Sequence, residues 1–272
     1  MNLLQEYFPA TTHESRMKGA GDALSARAFY LSKRPRNLQY LLEKRISWIK
    51  PYLPTQAELI VEVGCGIGVT KEFIDHPALR LTDFTANPWV DLKVDALAMP
   101  YADGSVDVLI AINMLHHLAY PSLFLKEAAR VLKAGGRLLI RDATASVAMR
   151  CALLLMRHEG YSFLRDPFDA SKPCNDPQDL WSGNNAISDL LFGRPDVFQE
   201  KCPELSIERQ WFEEFMIFPI SGGVTAKSKT IQLPFWALRA IDRIDEFLVR
   251  RWPHIFSFQR NVVLKRMPIQ VH

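Results

Sequence analysis

The stretch that most constrains this chain is Leu59–Val69, LIVEVGCGIGV. A run of apolar and β-branched residues interrupted only by Glu62 reads as a buried strand, and Gly64, Gly66 and Gly68 then force a sharp turn. Glycine lacks a Cβ, so the main chain can take positive φ and a ligand can approach it closely. The turn is expected to open a helix whose first N–H groups face whatever sits there. Two nucleotide-type ligands use such a turn. The dinucleotide fingerprint G-x-G-x-x-G/A, laid on Gly64 and Gly66, needs a small residue at position 69, where Val69 stands. The pattern present is E-x-G-x-G-x-G, with the acid two residues before the first glycine.

The next segments repeat a strand–connection rhythm. LRLTDF (79–84) reads as a second strand ending at Asp83, which lies 83 − 62 = 21 positions beyond Glu62. At that offset an acid at the end of the neighbouring strand faces ribose hydroxyls and accepts from both. Residues 90–97 give a third strand closing on Asp95–Ala96. A turn at Ala102–Asp103–Gly104 leads into a buried fourth strand, Val106 to Ile112, followed by Asn113, Met114 and L-H-H-L. Asp107, inside that buried strand, is read as structural. Residues 121–142 are an amphipathic helix with Leu123, Leu125, Ala128, Ala129 and Leu132 inward, a Gly135–Gly136 stop, and a fifth strand. This alternation predicts a doubly wound parallel sheet. Its ligand belongs outside the C-terminal strand ends, where Glu62, Asp83, Asp95 and Asn113 all fall.

The E-x-G-x-G-x-G run resembles motif I of the class I S-adenosylmethionine-dependent methyltransferases. An acid, the Pro100–Tyr101 pair, an acidic-glycine turn, V-D-V-L-I and L-H-H-L look like the type 11 branch of that family. The resemblance covers residues 55–145 and joins four motifs in order. It implies an α/β, doubly wound, Rossmann-like, mostly parallel sheet with S-adenosyl-L-methionine as cofactor and S-adenosyl-L-homocysteine as product. It also implies cofactor-binding roles. Glu62, Gly64, Cys65, Gly66 and Gly68 would form the cradle, and Asp83 with Phe84 would follow the second strand. Asp95 would bond the adenine amino group with Ala96 lending an N–H, and Asn113 and Met114 would face the methyl-bearing sulfur.

The organisation expected is an N-terminal helical lid (1–53), an α/β core (54–145), an inserted segment (146–204) and closing strands with a basic amphipathic helix (205–272). Leu38, Leu41, Leu42, Ile46 and Ile49 recur at helical spacing before Pro51 and Pro54. Upstream, Tyr30, Lys33, Arg34 and Arg36 read as a solvated loop or as a lid edge over the site, with Tyr30 as a substrate candidate. The insertion crowds His158, Glu159, Tyr161, Arg165 and Asp166 together, and Trp181, Asn184 and Asn185 follow. Segments this long in a compact domain commonly form lids or binding elements. It is therefore read as a helical substrate cap, with Glu159, Tyr161, Arg165, Trp181 and Asn184 as its contacts. In the last third, Phe235, Leu238, Ile241, Ile244, Phe247 and Leu248 form an apolar stripe. From position 221 onward nine Lys or Arg face three Asp or Glu.

A net charge of +3 is too small to argue for nucleic acid, and no N-P-P-Y-type motif follows the fourth strand. Cys65, Cys151, Cys174 and Cys202 form no C-x-x-C pair, which fits neither zinc nor a disulfide framework and points to a reducing cytoplasm. The acid-bearing N-terminus is not expected to be a secretory signal, and no apolar stretch is long enough to span a bilayer.

A sulfonium methyl is already activated, so the protein's part is to align the reactants in line and exclude water. Where the acceptor must lose a proton, His117 is the first candidate base, with His116 and His158 beside it. No Asp-Asp-Asn arrangement is present and no metal is expected. The leading reading is methyl transfer to a small or medium-sized acceptor. Two others stay open: a lipid-linked or glycan acceptor at a membrane surface, drawn from the basic helix, and cofactor binding without methyl transfer.

Overall fold

Both faces of β1 (Ile60–Val63) are buried, as a near-continuous apolar strand requires. Val61 and Val63 enter one core and Ile60 the other. The computed structural model describes residues 4–10, 22–157, 159–225 and 229–268. Around β1 lie β2 (Leu79–Asp83), β3 (Leu92–Lys93), β4 (Val106–Ile112), β5 (Leu132–Ala143), β6 (Leu205–Glu213) and β7 (Gln259–Arg266). They form a seven-stranded sheet in the order β3-β2-β1-β4-β5-β7-β6. The first five are mutually parallel, and β7 runs antiparallel between β5 and β6. Chain order reverses between β1 and β4, the switch point at which such sheets bind ligands.

Helices cover both faces. On one side the core gathers Leu109, Ala111, Leu138 and Ile140 under α3 (Pro121–Val131). On the other, α1 (Ala23–Lys33), α2 (Arg36–Ser47) and α8 (Phe235–Arg251) pack over Ile60, Val108, Ile110 and Leu139. Between β5 and β6 come α4 (Val147–Met156), α5 (Ile187–Phe192) and α6 (Pro195–Lys201); α7 (Ile217–Ser221) follows β6. Tyr161–Ser162 pairs antiparallel with Glu6–Tyr7, tying the inserted segment to the N-terminal one.

Four local expectations are corrected. The glycine turn opens only a 3-10 turn, Thr70–Glu72, because β2 begins at Leu79 and Pro77 disfavours helix in the residue before it. The third strand is only two residues long. Lys133–Gly136 is no loop: α3 ends at Val131 and β5 runs through both glycines, with Gly135 at φ +80° and a register shift opposite Val106–Val108. The apolar stripe of α8 splits, since Leu238 and Val249 are buried whereas Phe235, Ile244 and Phe247 are exposed.

The sheet is tied to α2 by charge. Arg141, fully buried on β5, donates to Glu213 and Glu214 at 2.7 Å each and to Asn261 at 2.9 Å. Glu214 also takes two bonds from Arg45 of α2. Burial opposes ionisation of Glu214, but the two guanidiniums outweigh it and hold the carboxyl below its ordinary range. A depressed acid stabilises the fold above its unfolded value of 4.5, and that contribution disappears as pH falls toward the folded value. Glu214→Ala should cost about 3–5 kcal/mol in urea unfolding at pH 7, since it strands the buried Arg45 cation and leaves Arg141 with Glu213 as its one carboxylate. The gap to the parent should narrow when the same measurement is made below pH 4.5.

Candidate active site

The C-terminal ends of β1, β2, β4 and β5 form one rim. At β1 the chain turns through Gly64, Gly66 and Gly68, at φ +67°, +52° and +62°. Gly64 is backed by Met114, whose Cγ stands 2.5 Å from where a Cβ would be, and Gly68 is covered by the Trp89 ring. At Gly66 a Cβ would meet nothing within 4 Å, so the turn is open there. Asp83 Oδ2 accepts from Gly66 N–H at 2.9 Å and Oδ1 from Thr85 N–H at 2.8 Å, fixing the carboxylate against the turn. Two further residues brace it. Trp89 Nε1 donates to Gly66 O at 3.0 Å, and Arg27 of α1 donates to Ile67 O and Gly68 O, both at 2.7 Å. The Arg27 guanidinium lies 4.8 Å over the Trp89 ring.

Glu62 is buried on β1. Its Oε1 accepts from the Thr70 hydroxyl at 2.9 Å, while Oε2 has no partner. Burial pushes this carboxyl up to about 7, against the Thr70 bond and with the help of Asp83. Cys65 is buried beside it, and burial raises its thiol far above the ordinary range. Phe84 is exposed next to Asp83, with the Lys93 ammonium 5.3 Å from its ring. Asp95 is exposed and caps its own loop by accepting from Leu97 N–H at 2.9 Å, and Ala96 packs partly against the first core.

At the end of β4, Asn113 takes φ +50°, a left-handed conformation that is uncommon outside glycine. The chain turns sharply there, and the 3-10 turn Leu115–His117 follows. His116 Nδ1 donates to Asp142 Oδ1 of β5 at 2.5 Å, and its main-chain N–H reaches Asp142 Oδ2 at 3.2 Å. His117 Nδ1 donates to the Ser182 carbonyl at 3.2 Å. Both Nε2 atoms face one carboxylate: Glu159 lies 3.7 Å from His116 and 4.0 Å from His117. Burial lowers the His116 pKa, but Asp142 and Glu159 overcome it and hold the imidazole above its ordinary value. Burial and the His116 charge push His117 the other way.

The inserted segment is bonded to this turn through the main chain. Asn184 N–H donates to His116 O at 2.9 Å, and Asn175 Nδ2 donates to the same oxygen at 2.6 Å. Trp181 stands edge-on to His117 at 5.9 Å. A cavity of about 350 Å³, lined by Phe8, Arg165, Asn175, Ser182 and Gly183 among others, adjoins the cluster, since a Cβ on Gly183 would come within 3.0 Å of Glu159 and 3.2 Å of His116.

Of the substrate candidates, Glu159 and Trp181 stand at the histidines and Arg165 at the neighbouring cavity. Three others are placed differently. Asn184 is used up on the main chain, bonding Ser162 on both sides and Ala186 N–H. Tyr161 is buried against Tyr7 and Phe163. Tyr30 is not in a loop but in α1, buried beneath the Arg34 guanidinium. His158 lies outside the described residues. Asp142, Trp89 and Arg27 went unread in the sequence. The first had a signal, an acid closing the fifth strand; the other two had none.

Residues 61–140 match the family model described as a methyltransferase domain. Over that stretch the core is similar to methyltransferase domains. The 27-O-demethylrifamycin SV methyltransferase of Amycolatopsis mediterranei is 46% identical over 110 residues, covering 33% of this chain and 40% of that one. The ubiquinone biosynthesis O-methyltransferase of Ralstonia nicotianae is 28% identical over 110 residues, covering 34% and 46%. The 2-methyl-6-phytyl-1,4-hydroquinone methyltransferase of a Synechocystis species is 32% identical over 102 residues, covering 30% and 31%. This chain thus spans less than half the length of each of these relatives.

The turn after β1 depends on its glycines. Gly68→Ala would drive a Cβ into Trp89 at positive φ and should destabilise by roughly 2–4 kcal/mol in thermal or urea unfolding. In a Trp89→Ala background the collision is gone, and only the backbone penalty of about 1–2 kcal/mol should remain.

Proposed function

We propose that this chain binds S-adenosylmethionine on the β1–β2–β4 rim and transfers its methyl to a small-molecule acceptor held under residues 159–185. The observation that carries the reading is the buried, unpartnered Oε2 of Glu62 beside the open backbone at Gly66. An acid left in that state needs a cation or a donor, and the cofactor's ammonium group supplies one. Asp83, pinned to the turn through one lone pair on each oxygen, retains acceptor capacity for ribose hydroxyls. Phe84 offers an exposed ring face and Asp95 an exposed carboxylate toward the base. Met114, seated on Gly64, stands between the turn and the histidines and would flank the sulfonium.

When bound, the cofactor supplies an activated methyl. The chain's own residues orient it, exclude water and receive the acceptor's proton. His116, His117 and Glu159 form the acceptor side, with the inserted segment as its cap and α1, latched to the turn by Arg27, as its lid. The relatives named above support a small-molecule acceptor, since their names specify rifamycin, ubiquinone-pathway and hydroquinone substrates. A cytoplasmic setting is part of the proposal, supported by four cysteines that are all free. Among the described residues no helix is long and apolar enough to cross a membrane.

Calorimetry with S-adenosylmethionine, S-adenosylhomocysteine and NADH tests the cofactor assignment. Micromolar binding of the first two alone is expected, and binding of NADH instead would overturn it. Asp83→Ala should weaken S-adenosylmethionine by about 1–3 kcal/mol, the cost of unpaired charge-assisted bonds. With an acceptor found by screening for S-adenosylhomocysteine release, His117→Ala should slow turnover by about 10²–10⁴-fold while cofactor affinity stays unchanged. Near-normal turnover would remove His117 from the chemistry.

A further inference from the structure

We propose that His116, His117 and Glu159 form a binding site for one divalent transition metal, with zinc or cobalt as the probe. The site lies on the acceptor side of the rim, so its role rests on the reading above, although its existence does not.

The two imidazoles and the carboxylate place one ligand atom each within 4.8 Å of one another. Tetrahedral coordination at bonds of about 2.0–2.2 Å separates ligand atoms by roughly 3.4 Å. The Nε2 atoms of His116 and His117 stand 3.7 and 4.0 Å from Glu159, from Oε2 and Oε1 respectively, and side-chain rotation that closes the group by about 1 Å would complete the shell. The orientation of the rings is the stronger argument. Asp142 and the Ser182 carbonyl can only accept, so the Nδ1 of each histidine must carry the proton it donates. Metal binding displaces any proton on Nε2, which leaves the lone pair of each ring there, and both Nε2 atoms face Glu159. Metal-binding histidines are held in this way, with a carboxylate or carbonyl behind the far nitrogen. Glu159 is oriented too, since Asn185 Nδ2 donates to its Oε2 at 3.0 Å. All three ligands therefore have a partner that aims them.

The donor set of two imidazoles and one carboxylate suits zinc and its first-row neighbours and is poor for magnesium or calcium. Three protein ligands leave a coordination position open, the arrangement of sites that act on a bound molecule. His116 is closed off at 5% side-chain exposure, whereas His117 and Glu159 keep 19% and 16% and form the open face. Such an ion would supply Lewis acidity toward an acceptor oxygen or nitrogen and would replace proton acceptance by His117, whose Nε2 lone pair it would occupy.

The experiment is calorimetric titration of the chelator-stripped protein with Zn²⁺, together with the visible spectrum of the Co²⁺ form. One equivalent should bind, and the cobalt form should give the intense bands of a four-coordinate site. His117→Ala and Glu159→Gln, chosen because both side chains are partly exposed, should each abolish stoichiometric binding with the circular dichroism spectrum unchanged. Asp142→Asn should weaken it by about 10–100-fold. Cys151→Ser, which removes the exposed thiol, should leave it intact. Absence of saturable binding, or binding that survives both ligand variants, overturns the proposal. S-adenosylmethionine affinity measured on the stripped protein separates the two readings: cofactor binding without metal binding refutes the metal site alone, and metal binding without cofactor binding refutes the methyltransferase reading alone.

Discussion

Parallel pairing of β4 with β5 is the constraint on which the site depends. In register, Ile112 stands opposite Arg141, and Asn113 N–H donates to Arg141 O at 2.7 Å. This is the last rung of the pair. One residue later on β5 is Asp142, and three residues beyond Asn113 is His116. The left-handed turn at Asn113 lets the segment after β4 fold back onto the end of β5. A slip of one residue would exchange the faces of every side chain on the strand, burying Asp142 on the wrong side of the sheet.

Successive residues on a strand point to opposite faces, and β5 uses this at its end. Arg141 turns toward Glu213 and Glu214 and, through Arg45, fastens α2 to the C-terminal strands. Asp142 turns the other way and holds His116. Two adjacent residues thus anchor the N-terminal helices and the histidine turn independently. Each charge is offset where it lies. Glu214 answers two guanidiniums, and His116 lies between Asp142 and Glu159. Buried charges persist only when paired in this way.

What could be read from the sequence was what local pattern encodes. Val106 to Ile112 is a strand at both levels because seven residues buried on both faces leave a continuous apolar run. The position of Asp83 at the end of the second strand was legible from the sequence, whereas its bond to Gly66 N–H comes from the fold. The helix expected after that turn failed because the distance to β2, rather than the motif, limited its length. The α8 stripe misled because helical periodicity does not say which part of a face finds a partner. Buried Asp245 instead accepts from three consecutive main-chain N–H groups of residues 215–217. Glu159 and Asp142 stand 43 and 26 positions from His116, so their convergence is a property of topology.

The inserted segment divides its residues by task. Asn175 and Asn184 bond main-chain atoms of the histidine turn, and Asn185 holds Glu159 and Gly160. These asparagines fix the position of the turn whatever occupies the neighbouring cavity. Phe8 and Arg165 line that cavity, and Trp181 stands over His117 without a role in the stitching. Under the proposed function, acceptor choice belongs to these outward-facing side chains. A scaffold built this way can change what it accepts by substitution at Phe8, Arg165 or Trp181 while Asp142, His116 and the glycine turn keep their geometry, whereas Asn175 and Ser182, which also line the cavity, bond the histidine turn and are constrained by it.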